Sequence, residues 1–93
     1  MQIDEIKTKI LPLLQSHGVS RVGLFGSAAR GEMNESSDID ILVDIKKDIS
    51  LLEFIDIKQK LEEKLGRNVD LVEYQALKPA LKNQILQSQV VLL

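Results

Sequence analysis

A chain of 93 residues with 44% hydrophobic content fits one compact domain, in which folding removes only about 60 to 65% of the unfolded surface from water. Charged residues make up 28% at a formal net charge of −2, with no block of basic residues, and aromatics are only 3%. Direct binding of nucleic acid, which calls for a basic stripe and stacking rings, is therefore not expected. The chain has no cysteine, so disulfides and thiolate metal sites are excluded. The opening MQIDEIKTKI carries acids where a signal peptide needs a positive start and an apolar run, and no apolar stretch reaches the length of a membrane span. These features predict a cytoplasmic protein with no membrane contact.

In chain order, Ile3, Ile6, Ile10, Leu13 and Leu14 recur at helical spacing before Gly18, which predicts an amphipathic helix. Val19 to Phe25 reads as a short buried strand ending abruptly at Gly26 and Ser27. The segment GSAARGEMNESS breaks all periodicity and predicts a loop, with room for one helical turn over Ala28 to Arg30. From Asp38 to Asp44 the chain alternates, with Ile39, Ile41 and Val43 on one side and Asp38, Asp40, Leu42 and Asp44 on the other, the mark of a strand with one buried face. Ser50 and Glu53 have the spacing of a capping box, and Ile49 and Phe54 that of a hydrophobic staple. A helix should therefore run from Leu51 to about Leu65, with Gly66 as its left-handed stop. Asn68 to Glu73 predicts a third strand, with Val69 and Leu71 on one face and Asp70 and Val72 on the other. Pro79 suits the first turn of a last helix reaching about Ser88, with Leu81, Ile85 and Leu86 facing inward, and the closing VVLL suits a short strand. Whether that strand pairs within the sheet or with another chain is left open. The order implies an α/β (α+β) fold, a small mixed sheet covered by helices.

Chemistry concentrates at Asp38 and Asp40. Two apart on a strand, they project from the same face about 6.6 Å apart along the backbone. Held this close, two ionised carboxylates repel unless a divalent cation neutralises them, and oxygen donors without His or Cys suit Mg²⁺. Taken alone, such a pair is more often a solvated outer face. The glycine loop just upstream changes the balance. Gly26 lets a phosphate approach the backbone and Ser27 adds a hydroxyl and an amide donor, so loop and acids together describe a place for a metal-chelated triphosphate. Arg30 has a planar fork suited to a phosphate. Asp44, Glu32, Glu35 and Glu73 read as solvated acids, His17 as a partner of the first helix's C-terminus, and Lys58, Lys60, Lys64 and Arg67 as an exposed helix face.

The run LFGSAARGEMNESSDIDILVD resembles the signature of the DNA polymerase beta nucleotidyltransferase superfamily, and GSAARG in so short a chain resembles its minimal nucleotidyltransferase (MNT) group, the MntA-type antitoxins of HEPN/MNT toxin–antitoxin pairs. The similarity spans essentially the whole chain, 1–93, as one minimal nucleotidyltransferase domain. It implies that Gly26 and Ser27 hold nucleotide phosphates, that Asp38 and Asp40 bind two Mg²⁺ ions, and that a later-strand carboxylate, here matched by Asp70, completes the metal and catalytic set. It further implies AMP transfer from ATP to a tyrosine hydroxyl of a partner HEPN toxin, with a hetero-oligomer open to the pair. Two other readings stay open: a small-molecule nucleotidyltransferase of the aminoglycoside-modifying kind, and a non-catalytic antitoxin that binds and occludes its partner.

Overall fold

The computed structural model describes residues 2–31, 37–46 and 48–93. Helix α1 spans Ile3–Ser16 and buries Ile6, Ile10 and Leu14, one residue per turn, as the spacing predicts. Strand β1, Val19–Phe25, follows, and the chain turns at once into a five-residue helix α2, Gly26–Arg30. The predicted helical turn is thus present and begins two residues earlier. Glu32 and Glu35 lie outside the described residues.

Strand β2, Ile39–Ile45, is followed by α3, Leu51–Leu65, whose limits match the capping signals. Ser50 Oγ accepts from the Glu53 N–H at 3.1 Å, satisfying one of the orphan donors of the first turn. Gly66 ends the helix, its N–H donating to Glu62 O at 2.8 Å. The Glu53 carboxylate lies 3.3 Å from His17 Nδ1, tying the start of α3 to the end of α1. His17 caps the C-terminus of α1, as its position before Gly18 predicts, and its side chain in addition links that helix to α3.

Strand β3, Val69–Glu73, leads through a single 3₁₀ turn, Tyr74–Ala76, to α4, Pro79–Ser88, and β4, Val90–Val91. The sheet order is β3-β2-β1-β4, with β2 parallel to β3 and β1 antiparallel to both its neighbours. The terminal VVLL thus pairs inside the sheet. Beyond the two residues of β4, Leu92 N–H donates to Val22 O at 2.8 Å and Val22 N–H to Leu93 O at 3.1 Å.

One face of the sheet packs under α1 and α3. Val22, Leu24, Ile39, Ile41 and Val43 meet Ile6, Ile10, Ile57 and Leu61 in a single cluster. Each fully buried aliphatic side chain there contributes roughly 1.5 to 3 kcal/mol. The opposite face carries Asp40, Leu42 and Asp44 of β2, in register with Phe25, Gly23 and Arg21 of β1.

Two expectations need correction. Leu81 does not face inward: it is 50% exposed, and α4 buries none of its residues, with Ile85 and Leu86 only half-buried. Helical spacing marks an apolar stripe, but whether another element covers it is a tertiary matter. Arg67 is not on an exposed helix face either. It follows Gly66 and is half-buried, with a guanidinium nitrogen donating to Ser37 O at 3.4 Å. Among the described residues no helix is long and apolar enough to cross a membrane.

Candidate active site

The acids meet where three strands end together. Because β1 runs antiparallel to β2 and β3 parallel to it, the C-terminal end of β1 lies beside the N-terminal ends of the other two. Phe25, Asp40 and Asp70 form one row across the sheet. Neighbouring strands stand about 4.8 Å apart, so the backbones of Asp40 and Asp70 are adjacent and their side chains rise from the same face. Asp38 precedes β2 and is exposed, as is Asp70, while Asp40 is half-buried.

The turn from β1 into α2 presses directly on this row. Gly26 has φ +67°, a conformation that disfavours any side chain, and a Cβ placed on it would run into Asp40 Oδ2. The backbone of the glycine turn and the central carboxylate therefore occupy adjoining space. Ser27 follows, half-buried, in the first turn of α2, and Arg30 is exposed in its last turn.

The electrostatics record the same convergence. Burial raises the Asp40 pKa above the ordinary aspartate value, and the charges of Asp70 and then Asp38 raise it further, while Arg30 pulls the other way. The glycine turn, Arg30, Asp38 and Asp70 thus all lie in the neighbourhood of Asp40. Asp44 is two positions farther along the same face, opposite Arg21, outside the row.

Beyond Asp38 the surface opens into a polar cleft of about 610 Å³, lined by Ser37, Asp38, Glu62, Glu63, Arg67 and Asn68. Of the three candidate acids only Asp38 borders this cleft, whose other walls come from the C-terminal end of α3 and the turn into β3. Among the described residues, no group of three or more acidic or histidine side chains could by itself hold a metal ion. Magnesium seldom needs such a cage: it is usually held by one or two carboxylates together with waters and substrate phosphates. Asp40, opposed by the charges of Asp70 and Asp38 and offset by Arg30, offers with its two neighbours only hard oxygen donors, a chemistry that suits a divalent cation shared with a polyphosphate.

A second cluster on this face escaped the sequence reading. Tyr74 Oη donates to Gln89 Oε1 at 2.6 Å, and the Arg21 guanidinium lies 4.3 Å from the centre of the tyrosine ring. A Cβ on Gly23 would collide with both the tyrosine hydroxyl and Gln89. A glycine inside an otherwise apolar strand was the available signal, since such a glycine often marks a close approach. The cluster joins β1 to the 3₁₀ turn and to the residue linking α4 and β4.

The polymerase beta nucleotidyltransferase family profile matches residues 8–93. This chain belongs to that family. Within the nucleotidyltransferase family, it is 50% identical over 90 residues to a Methanocaldococcus jannaschii protein named by inference as a protein adenylyltransferase, covering 97% of each chain. It is 45% identical over 78 residues to the protein adenylyltransferase MntA of Thermococcus cleftensis, covering 84% of this chain and 79% of that one. A chain in a toxin–antitoxin crystal structure with AMP-PNP superposes with TM-score 0.82 at 29% identity, covering 94% of this chain and 72% of that one. A chain in the complex of a tri-AMPylated Shewanella oneidensis HEPN toxin with its MNT antitoxin superposes with TM-score 0.76 at 26% identity, covering 97% and 71%. The chain is a nucleotidyltransferase with the minimal nucleotidyltransferase fold.

Proposed function

We propose that this nucleotidyltransferase transfers AMP from ATP to a tyrosine hydroxyl of a HEPN-type toxin protein, with Mg²⁺, and so acts as an antitoxin. The observation that carries the reading is the interlock of Gly26 with Asp40 in a row that ends in Asp70, because it sets a backbone able to approach phosphates directly against paired carboxylates. The relatives that carry the names protein adenylyltransferase and MNT antitoxin, and the AMPylated HEPN toxin beside one of them, support the acceptor class.

In this reading Gly26 and Ser27 receive the phosphate chain on the turn between β1 and α2. Arg30 pairs with a phosphate oxygen, and Asp38, Asp40 and Asp70 hold Mg²⁺. When bound, Mg²⁺ supplies positive charge to the triphosphate and to the departing pyrophosphate. Asp70, exposed at the edge strand, accepts the proton of the acceptor hydroxyl. The acceptor oxygen bonds to the α-phosphorus, the bond to the bridging oxygen of the β-phosphate breaks, and pyrophosphate leaves. Positioning and fixed charge do most of the work in such a transfer.

The chain contains one tyrosine, Tyr74, which is buried and already donates its hydroxyl to Gln89. That supports an acceptor tyrosine on another chain. Incubating the chain and a HEPN-type partner with Mg²⁺ and ATP, then weighing both intact proteins, tests the proposal. AMP-sized increments on the partner, abolished by Asp38→Asn and Asp40→Asn, are the expected result. Stable binding with no increment would leave an occluding antitoxin, and increments on an aminoglycoside instead would mark a small-molecule enzyme.

A further inference from the structure

Asp38 precedes β2, and Asp70 is the second residue of the edge strand β3, so both acids stand where a sheet tends to fray. Their separation depends on what holds the two strand starts. One peptide unit, joining Asn68 to Val69, lies between them. Its carbonyl accepts the Ile39 N–H at 3.0 Å, and its N–H donates to Glu62 Oε2 at 2.9 Å. In a trans peptide these two groups point in opposite directions. The unit is therefore held from one side by the residue after Asp38 and from the other by the last turn of α3, directly before Asp70. On the other side of Asp38, Ser37 O accepts from the Arg67 guanidinium.

Helix α3 itself gives no reason for a carboxylate at position 62. Glu62 lies in the last turn, where the helix dipole favours a cation, and its main-chain carbonyl already closes the helix by accepting from Gly66 N–H. The side chain serves the next strand instead. Because β3 is an edge strand and the Asn68 carbonyl faces β2, the Val69 N–H points outward, and the carboxylate supplies the acceptor that no further strand provides. A bond from an amide to a carboxylate is also roughly twice as strong as one between neutral groups.

We propose that Glu62 is a positioning residue for the acidic row: by fixing the Asn68–Val69 peptide it holds the starts of β2 and β3 together, and so holds Asp38 and Asp70 at the spacing a shared Mg²⁺ requires. The inference rests on the proposed role of Asp38 and Asp70 as metal ligands and adds what sets their geometry. Glu62 touches neither the cation nor the nucleotide in this assignment. Its effect passes through one backbone amide, so an uncharged side chain that still accepts that hydrogen bond should serve in its place.

The test compares Glu62→Ala with Glu62→Gln, which keeps an acceptor oxygen without the charge. Affinity for a fluorescent, non-hydrolysable ATP analogue is measured with Mg²⁺ and again with EDTA, alongside AMP transfer to a HEPN-type partner. Ile10→Val, a mild truncation in the core under α1, controls for lost stability. Glu62→Ala should cut the Mg²⁺-dependent affinity by about 10 to 100-fold, the usual cost of losing a residue that orients metal ligands, with the affinity in EDTA unchanged. AMP transfer should fall in kcat, Glu62→Gln should restore both readouts, and Ile10→Val should alter neither. Full Mg²⁺-dependent affinity in Glu62→Ala would overturn the inference. So would a Glu62→Gln variant as impaired as Glu62→Ala, which would mean that the charge acts directly, or an equal loss in Ile10→Val, which would mean that stability alone is at work. If Asp70→Asn leaves the Mg²⁺-dependent affinity intact, the inference falls while AMP transfer, and so the proposed function, can stand. A Mg²⁺ effect lost in Glu62→Ala and restored in Glu62→Gln, in a chain that transfers no AMP, would uphold the positioning role and refute the adenylylation reading.

Discussion

Gly26 and Asp40 exclude each other's growth: the volume where a Gly26 Cβ would sit is taken by the Asp40 carboxylate, and the positive φ of the glycine makes a side chain there costly in any case. Gly26→Ala faces both penalties. The left-handed conformation costs about 1 to 2 kcal/mol, and Asp40 must move to make room. Misplacement of reacting groups by about 1 Å can cost about 100-fold in rate. Single-turnover AMP transfer should therefore fall by at least about 100-fold, with a melting temperature only several degrees lower. A variant that turns over like the wild type would show that the interlock is unnecessary for the chemistry.

Asp40 also makes a prediction about pH. Its folded pKa is raised, first by burial and then by Asp70 and Asp38, so its contribution to stability is fully present below the ordinary aspartate value of 3.8 and is lost as the pH rises through the raised folded value. At neutral pH, with a chelator present, the ionised Asp40 opposes folding. Asp40→Asn should accordingly melt higher than the wild type near pH 7, and the advantage should vanish as the pH falls below 3.8. Added Mg²⁺ should raise the wild-type melting temperature and leave the variant nearly unmoved. Equal melting curves across this range would contradict the repulsion described.

Much of this site was legible because it depends on parity. Once Ile39, Ile41 and Val43 are given to the core, Asp40 must lie on the other face, and the same argument applied to Val69 and Leu71 brings Asp70 to that face. The capping residues Ser50 and Gly66 set the limits of α3 in the same local way. Strand order is a different kind of information. Nothing local says that β3 lies parallel beside β2, which puts Asp70 opposite Asp40, or that VVLL closes on β1. The helical stripe of α4 shows the limit most clearly: Leu81, Ile85 and Leu86 mark a side of the helix, yet Ile85 and Leu86 are only half-buried and Leu81 is exposed.

Tyr74→Phe removes the hydroxyl that donates to Gln89 Oε1 while keeping the ring under Arg21. A hydrogen bond of this kind contributes about 1 kcal/mol, which in a domain of this size corresponds to a melting shift of about 4 to 8 °C. Because Gln89 leads into β4, hydrogen exchange at the Leu92 amide, bonded to Val22 O, should quicken more than exchange at the amides between β1 and β2. Uniform exchange across the sheet would indicate that the cluster does not secure the terminal strand.

The two leucines Leu61 and Leu81 put the distinction between pattern and packing to a direct test. Both sit at apolar helical positions, yet Leu61 is fully buried among the core aliphatics and Leu81 is half exposed. Truncating Leu61 to alanine removes buried methyl groups and leaves a cavity, at a cost of about 2 to 5 kcal/mol. Leu81→Ser leaves no cavity, and surface changes of this kind usually stay within about 0.5 kcal/mol. Urea melts of the isolated chain should therefore show a large drop in midpoint for Leu61→Ala and almost none for Leu81→Ser. A comparable drop for Leu81→Ser would mean that α4 is covered in solution, and concentration-dependent melting would then identify the cover as a second copy of the chain.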